Sequence, residues 1–429
     1  MRKITRRSLG FALLLASLTG SPVNAADIEV RFFFPVAVGG PVTKIIDDYA
    51  TAFEKENPGI KVKPVYAGDY VQTVTKAMTA VKGGDAPETA ILLAADLMLL
   101  TDEGVVVPFD DFVKTPDDKA WLASFYPAFM ENAKLKDKTY AIPFQRSTPV
   151  LYWNKEAFKA AGLDPEKGPS AWSEMAAMAK QLTKKDATGA VTQWGIQIPS
   201  DGNTLWLFTG MTTGNGVRLT DAEGTKVKID DPKVIEAANA WYALSKTDGS
   251  QAPGIISWGT TPRDFLEGKT AMMWTTTGNL TNVRTNAKFS FGVGFLPGHL
   301  QPGAPTGGGN FYMFKNVSAE KQAAAFKFIK WMTTAERAAE WSTKTGYVAT
   351  SAAAYDAPAM KAYTADFPQA VVARDQLKHA VPELTVHDNQ RITKVINDAL
   401  QAIMTGTKTA AVALKEAQAE SDRLLKDYK

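Results

Sequence analysis

The 429-residue sequence contains no cysteine and only three histidines. Without cysteine the chain forms no disulfide bond and carries no lipid-modified cysteine, so its stability must come from its core. The histidines, at 299, 379 and 387, do not have the spacing of metal ligands. The chain also lacks a Gly-x-Ser-x-Gly elbow, a His-Glu-x-x-His motif and a phosphate-binding P-loop. These absences weaken an enzymatic interpretation and predict no metal or other cofactor.

Long apolar runs are also missing, and no stretch after residue 25 is long enough to span a bilayer. Residues 1–25 instead combine four basic residues, the short apolar run Leu9 to Leu18 and the small residues Val23-Asn24-Ala25. This pattern predicts a cleaved signal peptide. Arg6-Arg7 leaves both Sec and twin-arginine export open. A soluble exported chain without a lipid anchor is expected in the periplasm of a Gram-negative cell.

Excess charge of one sign is absent from the remainder of the chain. The sequence has 48 basic and 45 acidic residues, and the four basic residues of the predicted signal leave 44 basic residues after it. A nearly neutral chain gives no indication of nucleic-acid or membrane binding.

The chain is too long for a single ordinary core, so two domains are expected. Short apolar strands such as Phe32 to Phe34 alternate with helical patterns such as Ile45, Ile46, Tyr49 and Phe53. This alternation predicts an α/β fold with a parallel sheet covered by helices. Because no low-complexity linker appears, the domains are expected to be joined by strands that cross between them.

Four polar clusters are candidates for holding a ligand: Gln145 to Thr148, Thr275 to Asn279, Gly307 to Asn310, and Thr345-Gly346-Tyr347. Free N–H groups at a helix start, or beside glycine, suit anions and sugar hydroxyls. A helix cap or a tight turn explains the same patterns without a ligand. Tryptophans at loop or strand ends offer rings for stacking, although each is also explained by packing; they are Trp153, Trp172, Trp258 and Trp274.

Several long segments resemble the periplasmic binding proteins of ABC importers. They include "STPVLYWNKEAFKAAGLDPE", "FEKENPGIKV", "GKTAMMWTTTGNL", "KFSFGVGFLP", "TGGGN", "AAEWSTKTGYV" and "TGTKTAAVALKEAQAE". The resemblance covers the chain after the signal and is strongest to the branch that binds sn-glycerol 3-phosphate, a relative of the maltose-binding proteins.

The resemblance implies two α/β lobes joined by three hinge crossings, with the ligand in the cleft between them. The crossings are expected near Ile142-Pro143, Trp274 to Thr277 and Trp331 to Thr334. The implied N-terminal lobe comprises 26–143 and 278–330, and the C-terminal lobe comprises 144–277 and 331–429.

The resemblance also implies ligand contacts at seven positions of this sequence: Tyr70, Asp96, Ser147, Trp172, Thr276, Gly308 and Tyr347. Asp96 is a shorter carboxylate than the family's glutamate. The family's late cleft arginine aligns with Thr393, and Arg146 stands where the family has a small serine. We therefore add Arg146 to the candidate site, as a partner for an anionic group of the solute.

The implied function is capture of a small polar, anionic solute, glycerol-phosphate-type or sugar-derived, by a monomer that delivers it to a membrane permease driven by an ATPase. One alternative is a binding protein for a neutral sugar or oligosaccharide. An alternative from another class is a secreted hydrolase that uses Asp96 with a second carboxylate.

Overall fold

The computed structural model describes residues 27–428, and the predicted signal peptide lies outside the described residues. The strands are β1 (Ile28–Phe34), β2 (Ile60–Tyr66), β3 (Thr89–Leu93), β4 (Lys134–Leu135), β5 (Lys138–Thr139), β6 (Ile142–Ser147), β7 (Pro149–Asn154), β8 (Lys184–Lys185), β9 (Val191–Gln197), β10 (Thr270–Thr276), β11 (Phe291–Gly294), β12 (Ala304–Pro305), β13 (Gly307–Met313) and β14 (Ala380–Val381).

The α-helices are α1 (Val42–Glu56), α2 (Tyr70–Lys82), α3 (Leu97–Asp102), α4 (Pro116–Ala123), α5 (Pro127–Met130), α6 (Lys155–Ala160), α7 (Trp172–Leu182), α8 (Thr204–Gly214), α9 (Pro232–Lys246), α10 (Thr261–Leu266), α11 (Leu280–Asn286), α12 (Ala319–Met332), α13 (Ala335–Thr345), α14 (Ala352–Asp356), α15 (Pro358–Asp366), α16 (Val372–Gln376), α17 (Asn389–Met404) and α18 (Ala410–Leu424). Short 3₁₀ turns are found at Ala94–Asp96, Phe109–Asp111, Thr277–Asn279, Pro368–Val371, Leu377–His379 and Lys426–Tyr428.

The first sheet has the strand order β2-β1-β3-β13-β6. Strand β1 pairs in parallel with β2 and β3, whereas β13 runs antiparallel to both β3 and β6. Helix α1 covers this sheet because Ile45, Ile46, Tyr49 and Phe53 recur on one face and are buried. The parallel strands separated by helices confirm the predicted α/β class.

The second sheet has the order β11-β7-β10-β9-β8. Strand β11 pairs antiparallel with β7, from Phe291 opposite Asn154 to Gly294 opposite Leu151. The predicted boundaries assigned 278–330 to the lobe of the first sheet, and for β11 this assignment is wrong. The reason is that the chain stays beside β7 after α11 and returns to the first sheet only at β13. The boundary predicted between 143 and 144 is also too early, because β6 continues in the first sheet through Ser147. The remaining lobe boundaries stay a prediction.

Two segments connect the sheets, and the buried side chain of Gln376 makes hydrogen bonds to both. The chain passes from β6 to β7 through Thr148, and from β11 back to β13 through 295–306. The Gln376 amide Nε2 donates to Thr148 Oγ1 at 2.9 Å and to the Pro149 carbonyl at 2.8 Å, while its Oε1 accepts from the Leu296 amide at 2.8 Å. The crossings predicted near Ile142-Pro143 and at Trp274 to Thr277 are therefore misplaced, because β6 stays in the first sheet through Ser147 and both β10 and β11 belong to the second sheet. The crossing predicted at Trp331 to Thr334 stays a prediction.

Within residues 27–428, no helix is long and apolar enough to cross a membrane.

Candidate functional site

Two adjoining cavities lie between the sheets. The inner cavity, of about 30 Å³, is lined by Ala37, Val38, Tyr70, Leu93, Ser147, Asn203, Trp206, Trp258, Thr276, Gly308, Tyr347 and Glu383. The outer cavity, of about 750 Å³, shares several of these walls and extends along α2, α8 and α17. The inner cavity has room for hydroxyl groups or a few water molecules, whereas the outer one has the volume of a typical small-molecule site.

Five predicted site residues meet at the inner cavity, from separate parts of the chain. They are Tyr70 at the start of α2, Ser147 at the end of β6, Thr276 at the end of β10, Gly308 in β13, and Tyr347 after α13. The Tyr70 hydroxyl donates to Gln145 Oε1 at 3.2 Å. Burial, together with the neighbouring Tyr347, raises the pKa of Tyr70 well above its ordinary value, so the phenol stays a neutral hydrogen-bonding group.

The glycine cluster is part of a strand, not a tight turn, and it lets other groups approach the cavity. Gly308 has φ +92°, and a Cβ on it would lie 1.9 Å from the Gln145 carbonyl oxygen. A Cβ on Gly307 would lie 2.3 Å from the Trp206 indole nitrogen, which donates to the Thr306 carbonyl at 3.0 Å. Glycine is therefore required here for close packing of β13 against β6 and α8.

Arg146 does not line either cavity, so the direct contact proposed from the sequence is not supported. Its side chain is fully buried, and its guanidinium donates to Asn310 Oδ1 at 3.0 Å and to Asn132 Oδ1 and Thr306 Oγ1 at 3.2 Å each. Successive side chains of a strand point to opposite faces, so Ser147 on the cavity side leaves Arg146 on the other. Burial lowers the pKa of Arg146 to about 10, and the nearby Glu383 opposes that change.

Asp96 lines the outer cavity and has no structural use as a helix cap. It precedes α3, yet its side chain makes no capping hydrogen bond. It is 2% exposed, and its Oδ2 has no hydrogen-bond partner among the described residues. Burial raises the pKa of Asp96 to about 7, and a hydrogen bond from the Leu93 backbone partly opposes this rise. The carboxyl is therefore free to accept from a group in the cavity.

Trp172, predicted as a contact, lies outside both cavities. It stacks on His299, with ring centroids 4.9 Å apart, and packs in the core of the second sheet. Trp206 and Trp258 line both cavities instead, with ring centroids 6.1 Å apart and planes at 67°. The Trp258 indole donates to the Ala37 carbonyl at 3.4 Å, across the cleft from β1.

The sequence interpretation missed Glu383 and Asn389, which also line the outer cavity. Glu383 Oε2 and Asn389 Oδ1 are buried and lack hydrogen-bond partners in the described part of the chain. Desolvation raises the pKa of Glu383 to about 8; Arg146 opposes the rise and Asp96 adds to it. A single acidic residue within the apolar stretch "AVPELTV" was the available signal for Glu383. Asn389 gave no comparable signal.

These two cavities between two mixed sheets define the class of two-lobe solute-binding proteins. Residues 48–369 match the family described as bacterial extracellular solute-binding protein, and the chain belongs to that family. The sn-glycerol-3-phosphate-binding periplasmic protein UgpB of Salmonella typhimurium is 29% identical over 453 aligned positions, covering 100% of this chain and 99% of the relative. The protein of the same name from Yersinia pseudotuberculosis is 29% identical, covering 96% and 95%.

Solved structures share the fold. UgpB from Mycobacterium tuberculosis in complex with glycerophosphocholine superposes with a TM-score of 0.82 at 24% identity, covering 94% of this chain and 99% of that one. The ABC substrate-binding protein Lmo0181 from Listeria monocytogenes, in complex with cycloalternan, gives 0.79 at 22% identity, covering 92% and 98%. The predicted two-lobe fold and the predicted class are confirmed: the chain is a substrate-binding component of an ABC transporter.

Proposed function

We propose that this chain captures a solute with a glycerol-like, hydroxylated head for an ABC importer. The observation that carries the proposal is the convergence of Tyr70, Ser147, Thr276, Gly308 and Tyr347 on one inner cavity. Hydroxyls and a backbone amide supply neutral donors and acceptors that match vicinal hydroxyl groups. Asp96, on the adjoining wall, accepts from a further hydroxyl.

The proposed cycle consists of binding without chemistry. The lobes close over the solute, and the closed form delivers it to permease subunits that an ATPase drives. We further propose that the chain acts as a monomer in the periplasm, after removal of the predicted signal peptide. Relatives named as periplasmic proteins support the location. A hydrolase is the competing activity, and it would convert the solute, whereas a binding protein returns the solute intact.

A glycerol-phosphate-type solute is the second candidate within the same function. It is favoured by relatives named as sn-glycerol-3-phosphate-binding and by Arg391 and Lys394 on the outer wall. Against it, Thr393 stands at the position where the family has a cleft arginine near the C-terminus. Thr393 lines the outer cavity but has no charge to offer a phosphate group. Arg391 and Lys394 already pair with Asp388 at 2.8 Å and Asp398 at 2.7 Å.

The test combines native mass spectrometry of the protein purified from periplasm with calorimetric titration. We expect a co-purifying molecule that contains a glyceryl or related polyol unit and is recovered unchanged. Ser147→Ala and Thr276→Val should each weaken its binding by about fivefold to tenfold, the value of one hydrogen bond. Exposed Thr192→Val, in β9 and outside both cavities, is the control. Conversion of the solute, or unchanged affinity in both cavity variants, would refute the proposal.

A further inference from the structure

We propose that the outer cavity contains an acceptor subsite, formed by Asp96, Glu383 and Asn389 beside Trp206, for the hydroxyl groups of a sugar-like second part of the solute. This inference rests on the proposed function, in which the inner cavity holds the first part. It assigns the solute as an uncharged polyol glycoside in preference to a phosphate ester.

The subsite is defined by three unsatisfied oxygens. Asp96 Oδ2, Glu383 Oε2 and Asn389 Oδ1 are buried, and none has a hydrogen-bond partner among residues 27–428. They are the only buried side-chain polar atoms without partners on the described walls of the two cavities, and all three are acceptors. Buried acceptors are rarely left unpaired, so a bound group is expected to donate to them. Hydroxyl groups donate, whereas a fully ionised phosphate only accepts.

The charged residues that line the outer cavity also favour an uncharged solute. Asp69, Asp96, Glu383 and Asp398 face the outer cavity with only two basic residues, Arg391 and Lys394. Both basic residues already have carboxylate partners. An anionic group in this cavity would therefore find no unpaired basic side chain on the described walls, and any ionisation of Asp96 or Glu383 would repel it, whereas a neutral hydroxylated group meets neither obstacle.

Arg146 lies behind the acceptor subsite and is not part of its wall. It lies outside the cavity, over the Phe129 ring at 5.1 Å, where its charge acts on Glu383. The hydrogen-bond partners of its Nη1 and Nη2 groups, Asn310, Asn132 and Thr306, are all neutral. The cation thus favours a carboxylate at Glu383 without offering its guanidinium to the solute.

The volume of the outer cavity and its apolar surface also fit a sugar-like group. A glyceryl group alone would leave most of the roughly 750 Å³ cavity to water. Trp206, 7% exposed, adds a ring beside the acceptors. A sugar ring presents hydroxyls at its edge and C–H groups on its face, which suits acceptors flanked by an indole.

The experiment is calorimetric titration with glucosylglycerol, maltose, sn-glycerol 3-phosphate and glycerophosphocholine as probes. Wild-type protein should bind glucosylglycerol more tightly than either phosphate probe. Glu383→Gln and Asn389→Leu should each weaken glucosylglycerol about tenfold or more, and neither should weaken sn-glycerol 3-phosphate beyond twofold. Exposed Glu223→Gln is the matched control for the charge change, and thermal melting checks that each variant is folded.

The outcomes separate this inference from the proposed function. If sn-glycerol 3-phosphate or glycerophosphocholine binds most tightly, the acceptor subsite is refuted and the glyceryl site stands. If maltose binds most tightly and Ser147→Ala leaves it unchanged, the glyceryl site is refuted while the Glu383 and Asn389 variants still test the subsite. Unchanged glucosylglycerol affinity in both of those variants also refutes the subsite. Failure of all four probes to bind refutes both proposals.

Discussion

Solute affinity should depend on pH because two buried carboxyl groups line the cavity. In the empty protein the pKa of Asp96 is raised to about 7 and that of Glu383 to about 8. Hydroxyl groups that donate to these side chains favour the charged forms. Binding of an uncharged hydroxylated solute should therefore release protons, and affinity should rise between pH 6 and pH 8.

The size of the effect follows from the fraction of each group that is already charged. At its raised pKa, Asp96 is about one-tenth charged at pH 6 and about nine-tenths charged at pH 8, which gives about a tenfold gain in affinity. Glu383 is about 1% charged at pH 6 and about half charged at pH 8, which gives a gain of about fiftyfold. The total should lie between tenfold and the product of the two, about 500-fold.

Calorimetric titration at pH 6, 7 and 8, in buffers of different ionisation enthalpy, measures both the affinity and the number of protons released. The probe must not titrate in this range, so a neutral glycoside is suitable. Asp96→Asn should remove about a tenfold share of the pH dependence, and Glu383→Gln should remove the larger share. Proton uptake on binding, or an affinity that is flat or falls as pH rises, would refute the reasoning.

Three further predictions concern stability. The pKa of Asp96 is raised to about 7 in the folded state, so the stability that its protonated form contributes is complete below its unfolded-state pKa and is lost as pH rises through 7. Asp96→Asn should therefore stabilise the empty protein by up to about 3 kcal/mol more at pH 8 than at pH 5, as measured by urea unfolding. Equal effects at the two pH values would contradict this prediction. Gly308→Ala should lower the free energy of unfolding by at least about 2 kcal/mol, because its Cβ would meet the Gln145 carbonyl, whereas Gly259→Ala, with open space around it, should cost less than about 1 kcal/mol. Arg146→Lys should lower the free energy of unfolding by about 2 kcal/mol, through loss of buried hydrogen bonds, and should shift affinity for sn-glycerol 3-phosphate by less than twofold; a large affinity loss in a stable variant would restore direct contact with an anion.

The sequence by itself determined the class of protein and much of the inner cavity. The alternation of apolar strands with amphipathic helices predicted the α/β lobes because each element must bury one face. Five of the eight predicted site residues line the inner cavity, and Asp96 lines the outer one. These residues sit at or next to the ends of strands and helices, where local sequence already places a side chain at the edge of a sheet.

Tertiary structure alone decided which neighbours of those residues face the cleft. Arg146 and Ser147 are adjacent in sequence, but the pleat of β6 places one in the protein interior and the other on the cavity wall. Strand β11 joined the second sheet through its pairing with β7, which no local pattern specifies. Glu383 and Trp206 lie 177 positions apart in the sequence. They line one cavity because Leu384, next to Glu383, packs into the same core as Trp206, and such distances in space are not encoded by local sequence.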